Sequence, residues 1–332
     1  MAHTNNQPTY LEDRFLQPEG WRWHSFERAG RKIRFGSVFP KDSIPDAVVI
    51  CLQGVREFSE KYYETAQWCL DNNFAFWTMD WAGQGKSSRF LPNPQKRHSK
   101  GFDADIADLH YFIMEYIKHS SVHPDKGRIP MAMIAHSMGA NIGLRYLQKH
   151  PEIIECAAFI SPMIGIKAFK HVPQKLALFT AEFLKNFAGS FYIPGGRDWG
   201  KRADHARLTF DPVRSEVQTF WCEHDEALQC GDVTFGWVYE AQKSCIRLQS
   251  KSVHTEIVTP CLFGIPEHED LVDNKMALKV FAGMHNAKVV DYPNAAHEIL
   301  METDEIRGDF LKHFYNLVKE NIINRPETLK PF

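Results

Sequence analysis

Nowhere in these 332 residues does an apolar run approach the ~20 residues needed to cross a bilayer. The N-terminal stretch, Met1 to Phe15, has no apolar segment of the secretory kind, so the sequence reads as cytoplasmic. Charge of one sign is also lacking. The formal net charge is −2, and no basic run is long enough to track a phosphate backbone, which argues against nucleic acid as a partner. The seven cysteines include no C-x-x-C pair, so no disulfide framework is expected and a reducing compartment fits. In WCEHDEALQC, Cys222, His224 and Cys230 match no closed zinc spacing. The GQGKS of Gly83 to Ser87 lacks the leading glycine of a phosphate-binding loop, because position 80 is Asp. No metal and no cofactor is expected. There is no internal repeat, and nothing in the sequence sets the oligomeric state.

What is present is ample apolar material: 44% hydrophobic residues, with 24 Phe, enough for a sizeable core. Short apolar runs recur at wide intervals: Asp46–Leu52, Phe74–Asp80, Met131–His136, Cys156–Ser161, Pro260–Ile265 and Lys288–Tyr292. Each is nearly continuous, as expected of a strand buried on both faces. Helical periodicity lies between them, notably Ile106, Leu109, Ile113, Tyr116 and Ile117. Strand–helix alternation predicts an α/β fold, a mostly parallel sheet with helices on both faces. WRWHSFERAGRKIRFGSVF predicts an opening antiparallel pair. From about Pro162 to Lys251 the rhythm breaks, and a mostly helical insertion is expected. The organisation is then core 1–161, cap or lid 162–251, core 252–332. Within the insertion, Leu176, Phe179, Phe183 and Phe187 share one helical face.

MAMIAHSMGANIGLRYL, Met131 to Leu147, runs from a strand pattern into a helix pattern through Ala135-His136-Ser137-Met138-Gly139. A nucleophile at such a turn needs small residues two before and two after it. Ala135 and Gly139 meet that need, although a strand-to-helix turn with an incidental serine would look the same. A serine hydroxyl also needs a base and an orienting acid. Glu269, Asp270 and Asp273 follow one predicted strand and His297 follows the last, in the order Ser, acid, His. One oxyanion donor would be the N–H of Met138. Val55, beside Gly54, would supply the other.

Several motifs together resemble the bacterial lysophospholipase and monoacylglycerol-lipase-like group of α/β-hydrolases. They are QGVREFSEKYY (Gln53–Tyr63), DWAGQGKSS (Asp80–Ser88), GDVTFGWVYEA (Gly231–Ala241) and AAHEILMETDEIR (Ala295–Arg307). The resemblance covers about Val48 to Phe314. It departs at Ala135, where Gly is usual, at Gln53, where many members have His, and at Ala82, where most have Arg. It implies an α/β-hydrolase fold with a helical cap and a carboxylic ester hydrolase. The catalytic set would be Ser137, His297 and either Glu269 or Asp270, with the family spacing counted back from Asp273 favouring Glu269. Gln53, Met163, Phe179 and Phe183 would contact the substrate, a lipid or small ester. The cap could also rest on a membrane surface, peripheral to the inner membrane. The same residues would serve an acyltransferase or a peptidase, and the departures leave room for a binding protein on this scaffold.

Overall fold

The computed structural model describes residues 11–123, 127–200 and 208–325. The apolar runs form one eight-stranded sheet. Its strands are β1 (Arg22–Arg28), β2 (Arg31–Val38), β3 (Ala47–Leu52), β4 (Phe74–Met79), β5 (Met131–His136), β6 (Cys156–Ile160), β7 (Cys261–His268) and β8 (Ala287–Ala296). Their spatial order is β1-β2-β4-β3-β5-β6-β7-β8. The expected opening hairpin turns at Ala29 and Gly30, both in the left-handed region. β2 is antiparallel to β4, and from β4 to β8 the pairing is parallel.

The near-continuous apolar character of the central strands has a direct cause. Val48, Ile50 and Leu52 of β3 join one core, with Met131, Met133 and Ala135 of β5. Ala47, Val49 and Cys51 join the core on the other face, with Ala132 and Ile134. Successive side chains point to opposite faces, and both faces are covered.

The helices that cover the sheet are α1 (Tyr63–Asp71), α2 (Phe102–Phe112, continued by one π turn, Ile113–Ile117), α3 (Ser137–Lys149), α4 (Gln174–Ala188), α5 (Val217–His224), α6 (Phe235–Leu248), α7 (Asn274–Phe281) and α8 (Asp304–Val318). The first core draws on α2, α3, α6 and α7. The second draws on α1 and α8. α4, α5 and α6 all lie between β6 and β7, where the sequence pattern predicts an insertion.

All seven cysteines are buried and unpaired. Cys51, Cys156 and Cys261 are on strands of the sheet and Cys69 is on α1, whereas Cys222, Cys230 and Cys245 lie between β6 and β7. Among the described residues, no helix is long and apolar enough to cross a membrane.

Candidate active site

In a parallel sheet, ligands gather outside the carboxyl ends of the strands. The predicted site residues lie there. Ser137 follows β5 directly and starts α3, and its φ is +51°. That left-handed backbone is unusual for a residue with a side chain. The turn is tight because α3 presses on the end of β3. A Cβ on Gly139 would stand 2.5 Å from the carbonyl oxygens of both Leu52 and Gln53, so only glycine fits there. Ala135 is buried opposite Leu52 on one side and Phe159 on the other.

His297 follows β8 and is buried. Its Nδ1 lies 2.6 Å from Glu269 Oε2. The other carboxylate oxygen of Glu269 accepts from the Leu271 N–H (2.7 Å) and the Val272 N–H (3.0 Å). Burial alone would raise the Glu269 pKa. The His297 charge and hydrogen bond and the two backbone donors outweigh it, holding the carboxyl below its ordinary value. Burial would likewise lower His297, but the field and hydrogen bond of Glu269 reverse the sign and raise it. The His297 carbonyl accepts from Ser161 Oγ at 2.6 Å, and His136 Nε2 lies 3.2 Å from it. The His136 and His297 rings are 4.7 Å apart. The chain neighbour of Ser137 thus touches His297 directly.

Asp270 faces away from this pair. Its side chain is 61% exposed and lies 2.7 Å from Lys167 Nζ. Asp273 caps α7, accepting from the Met276 N–H at 3.1 Å. Of the three acids, only Glu269 reaches His297.

Val55 and Ser137 border a cavity of about 630 Å³. Among the described residues the Val55 N–H has no acceptor. Met138 is the second residue of α3, so its N–H has no partner within the helix. Met163 lines the same cavity, and its N–H donates to the Ser137 carbonyl at 3.2 Å. The remaining wall is almost wholly apolar, with Ile166, Phe169, Leu184, Phe235, Trp237 and Val272 among its members. Arg56 and Asp232 stand on its wall as an ion pair, 3.1 Å apart.

Three expected substrate contacts are corrected by this geometry. Phe179 and Phe183 do not line the cavity; they are 68% and 54% exposed. α4 turns its small face inward, through Ala177, Thr180, Ala181 and Leu184, and carries its phenylalanines on the outside. Gln53 is fully buried behind the site. Its Nε2 donates to Ser59 Oγ (2.9 Å) and Thr78 Oγ1 (3.1 Å), beside the Asp80 carboxylate.

The family of proteins described as serine aminopeptidase, S33, matches residues 43–304, most of the chain and every element of this site. The chain belongs to the serine aminopeptidase S33 family. It is 28% identical over 293 residues to a probable lysophospholipase L2 of Haemophilus influenzae, covering 86% of this chain and 89% of that one. It is 29% identical over 273 residues to lysophospholipase L2 of Escherichia coli, covering 79% and 77%. Among solved structures, a soluble variant of monoglyceride lipase from Saccharomyces cerevisiae superposes with a TM-score of 0.71 at 17% identity. That match covers 92% of this chain and 98% of the other. At that identity the likeness shows the α/β-hydrolase fold, which this S33 chain shares.

The S33 site also contains a buried charge cluster that motif reading passes over. Glu57 is buried and accepts from Lys61 Nζ (2.9 Å), Tyr62 Oη (2.7 Å), His136 Nδ1 (3.1 Å) and the Gly54 N–H. Lys61 also reaches Glu298 at 2.6 Å. Burial would raise Glu57, but Lys61 and His136 hold it well below its usual range. Gly54 is needed here, because a Cβ would meet Glu57 Oε2 and His136 Nδ1 at 2.8 Å. The signal available in sequence is the i, i+4 pair of Glu57 and Lys61. It looks like an ordinary surface ion pair until burial is known.

Proposed function

We propose that this chain is a carboxylic ester hydrolase that cleaves a lysophospholipid or monoacylglycerol through an acyl-enzyme on Ser137. The observation that carries the reading is a serine at a strained elbow that borders an apolar cavity, with an acid–histidine pair whose histidine ring packs on His136, the residue before that serine. The names of the bacterial relatives, lysophospholipase L2, point the same way.

Ser137 Oγ attacks the acyl carbonyl while His297 takes its proton. Glu269 accepts from Nδ1, keeps the ring oriented and stabilises the imidazolium. The Val55 and Met138 N–H groups hold the oxyanion. His297 returns the proton to the departing alcohol. Water, deprotonated by His297, then attacks the acyl-serine ester and releases the fatty acid. Segment 162–251 serves as a cap whose inner wall receives the acyl chain. The same triad on a peptide bond is the other reading, but the apolar wall favours an acyl chain, and Asp232 is already paired with Arg56. The phenylalanines outside α4 support contact with a lipid surface.

The test is hydrolysis of a panel of lysophospholipids and monoacylglycerols, with Ser137→Ala as control. Loss of turnover and of fluorophosphonate labelling in Ser137→Ala is expected. Activity surviving in that variant overturns the assignment.

A further inference from the structure

Arg97 is one of the largest fully buried side chains in the molecule. A buried guanidinium ordinarily sits on a carboxylate. Arg97 has none: among the described residues it makes no ion pair, and its acceptors are all neutral. Nε donates to Gln84 Oε1 at 2.8 Å, one terminal nitrogen to the carbonyls of Ala82 (3.2 Å) and His98, and the other reaches Met138 Sδ at 3.5 Å. Asp105 is the carboxylate whose field reaches it. Burial pushes that group up to about 7, so it cancels the charge only in part at neutral pH. Arginine itself stays protonated even when burial works against it.

These contacts converge on both expected oxyanion donors. Gln84 receives Arg97 and the Arg56 N–H on its oxygen, and its nitrogen donates to the carbonyls of Gly54 (2.8 Å) and Glu57 (2.7 Å). The loop presenting the Val55 N–H is therefore tied to Arg97 through one amide. Met138, whose N–H is the other donor, touches the guanidinium with its side chain. The Arg97 main chain is fixed from the insertion side, pairing with Asp232 and Thr234.

We propose that Arg97 is a positioning residue for the oxyanion hole: it sets the Gly54–Glu57 loop against Met138 and keeps a permanent positive charge behind the two N–H donors. The role rests on the Ser137 mechanism proposed above. As the tetrahedral oxyanion forms, its charge develops beside a fixed, buried cation that costs no reorganisation. The ground-state ester is neutral and gains little from it, so the benefit falls on turnover rather than on substrate binding.

The experiment compares Arg97→Met and Arg97→Lys in the full chain, with kcat, KM, melting temperature and affinity for a trifluoromethyl ketone that forms a hemiketal on Ser137. Arg97→Met is expected to lower kcat and ketone affinity together, by about 10- to 100-fold. KM should stay within about threefold. Arg97→Lys, which keeps the charge, should recover much of the loss. Wild-type kcat in Arg97→Met overturns the proposal, as do equal losses in Lys and Met variants that track melting temperature. If Arg97→Met does not fold, Gln84→Met cuts the tie to the loop while leaving the guanidinium in place, and an unchanged kcat there is equally fatal. Failure of the underlying mechanism is read separately, as activity that survives in Ser137→Ala.

Discussion

Glu269 and Asp270 are adjacent in sequence and opposite in environment. Glu269 is buried, held by two backbone N–H groups and bonded to His297. Asp270 is solvated beside a lysine. Glu269→Gln should lower kcat by roughly 10³- to 10⁴-fold, as expected when the orienting acid of a triad is neutralised. Asp270→Asn should leave it within about twofold, as for a surface change. Ester hydrolysis under saturating substrate separates the two. The pH profile gives a second check. His297 must be neutral to take the proton, and Glu269 raises its pKa. Activity should therefore fall as pH drops, with a midpoint above the ordinary histidine value, and Glu269→Gln should move that limb downward. The order Ser137, Glu269, His297 was legible because chain order and strand ends are sequence properties. Which acid turns inward was legible only as a preference, the family spacing favouring Glu269 over Asp270, since the choice depends on backbone N–H groups that only the folded loop presents. Arg97 and Glu57 escaped for a related reason: sequence shows a charge but not its burial.

At the scale of elements, α4 gives the clearest lesson. Periodicity correctly puts Leu176, Phe179, Phe183 and Phe187 on one face, but it cannot say whether that face looks in or out. Here the face looks out, and Ala177 and Ala181 take the inner positions because bulk there would fill the cavity. The two faces can be separated by mutation. Ala181→Trp should cut hydrolysis of long-chain p-nitrophenyl esters roughly tenfold or more relative to short-chain ones, a steric discrimination within one pocket. Phe179→Glu with Phe187→Glu should leave short-ester kinetics within about twofold and abolish co-flotation with phospholipid vesicles. Flotation retained by the double variant would remove the lipid-contact reading without touching the catalytic one. The central strands β3, β4, β5 and β6, by contrast, were legible almost to the residue, because burial on both faces leaves no room for polar side chains, whereas β7 and β8 run three and four residues past the apolar runs that announce them.

Across the whole molecule, Lys61 bridges segments far apart in the chain. It pairs with Glu57 beside the expected oxyanion loop and with Glu298 beside His297. Removing it takes the lysine from buried Glu298 and leaves buried Glu57 facing His136 as its one basic partner. Lys61→Met should destabilise the fold by about 3–5 kcal/mol, measured as denaturant midpoint, and should raise KM or lower kcat only as the site loosens. Arg214, itself buried, acts similarly, joining the insertion to Glu64 on α1 and Asp304 on α8. The unpaired cysteines give this architecture an internal clock. No thiol is open to reagent in the native state, so each can be labelled only after its surroundings come apart. Cys222, Cys230 and Cys245 report on the segment between β6 and β7, while Cys51, Cys69, Cys156 and Cys261 report on the sheet and its flank. Should the first group alkylate before the second, the segment lifts while the sheet stays closed, and the interval between them times an excursion that a lipid would use to enter or leave.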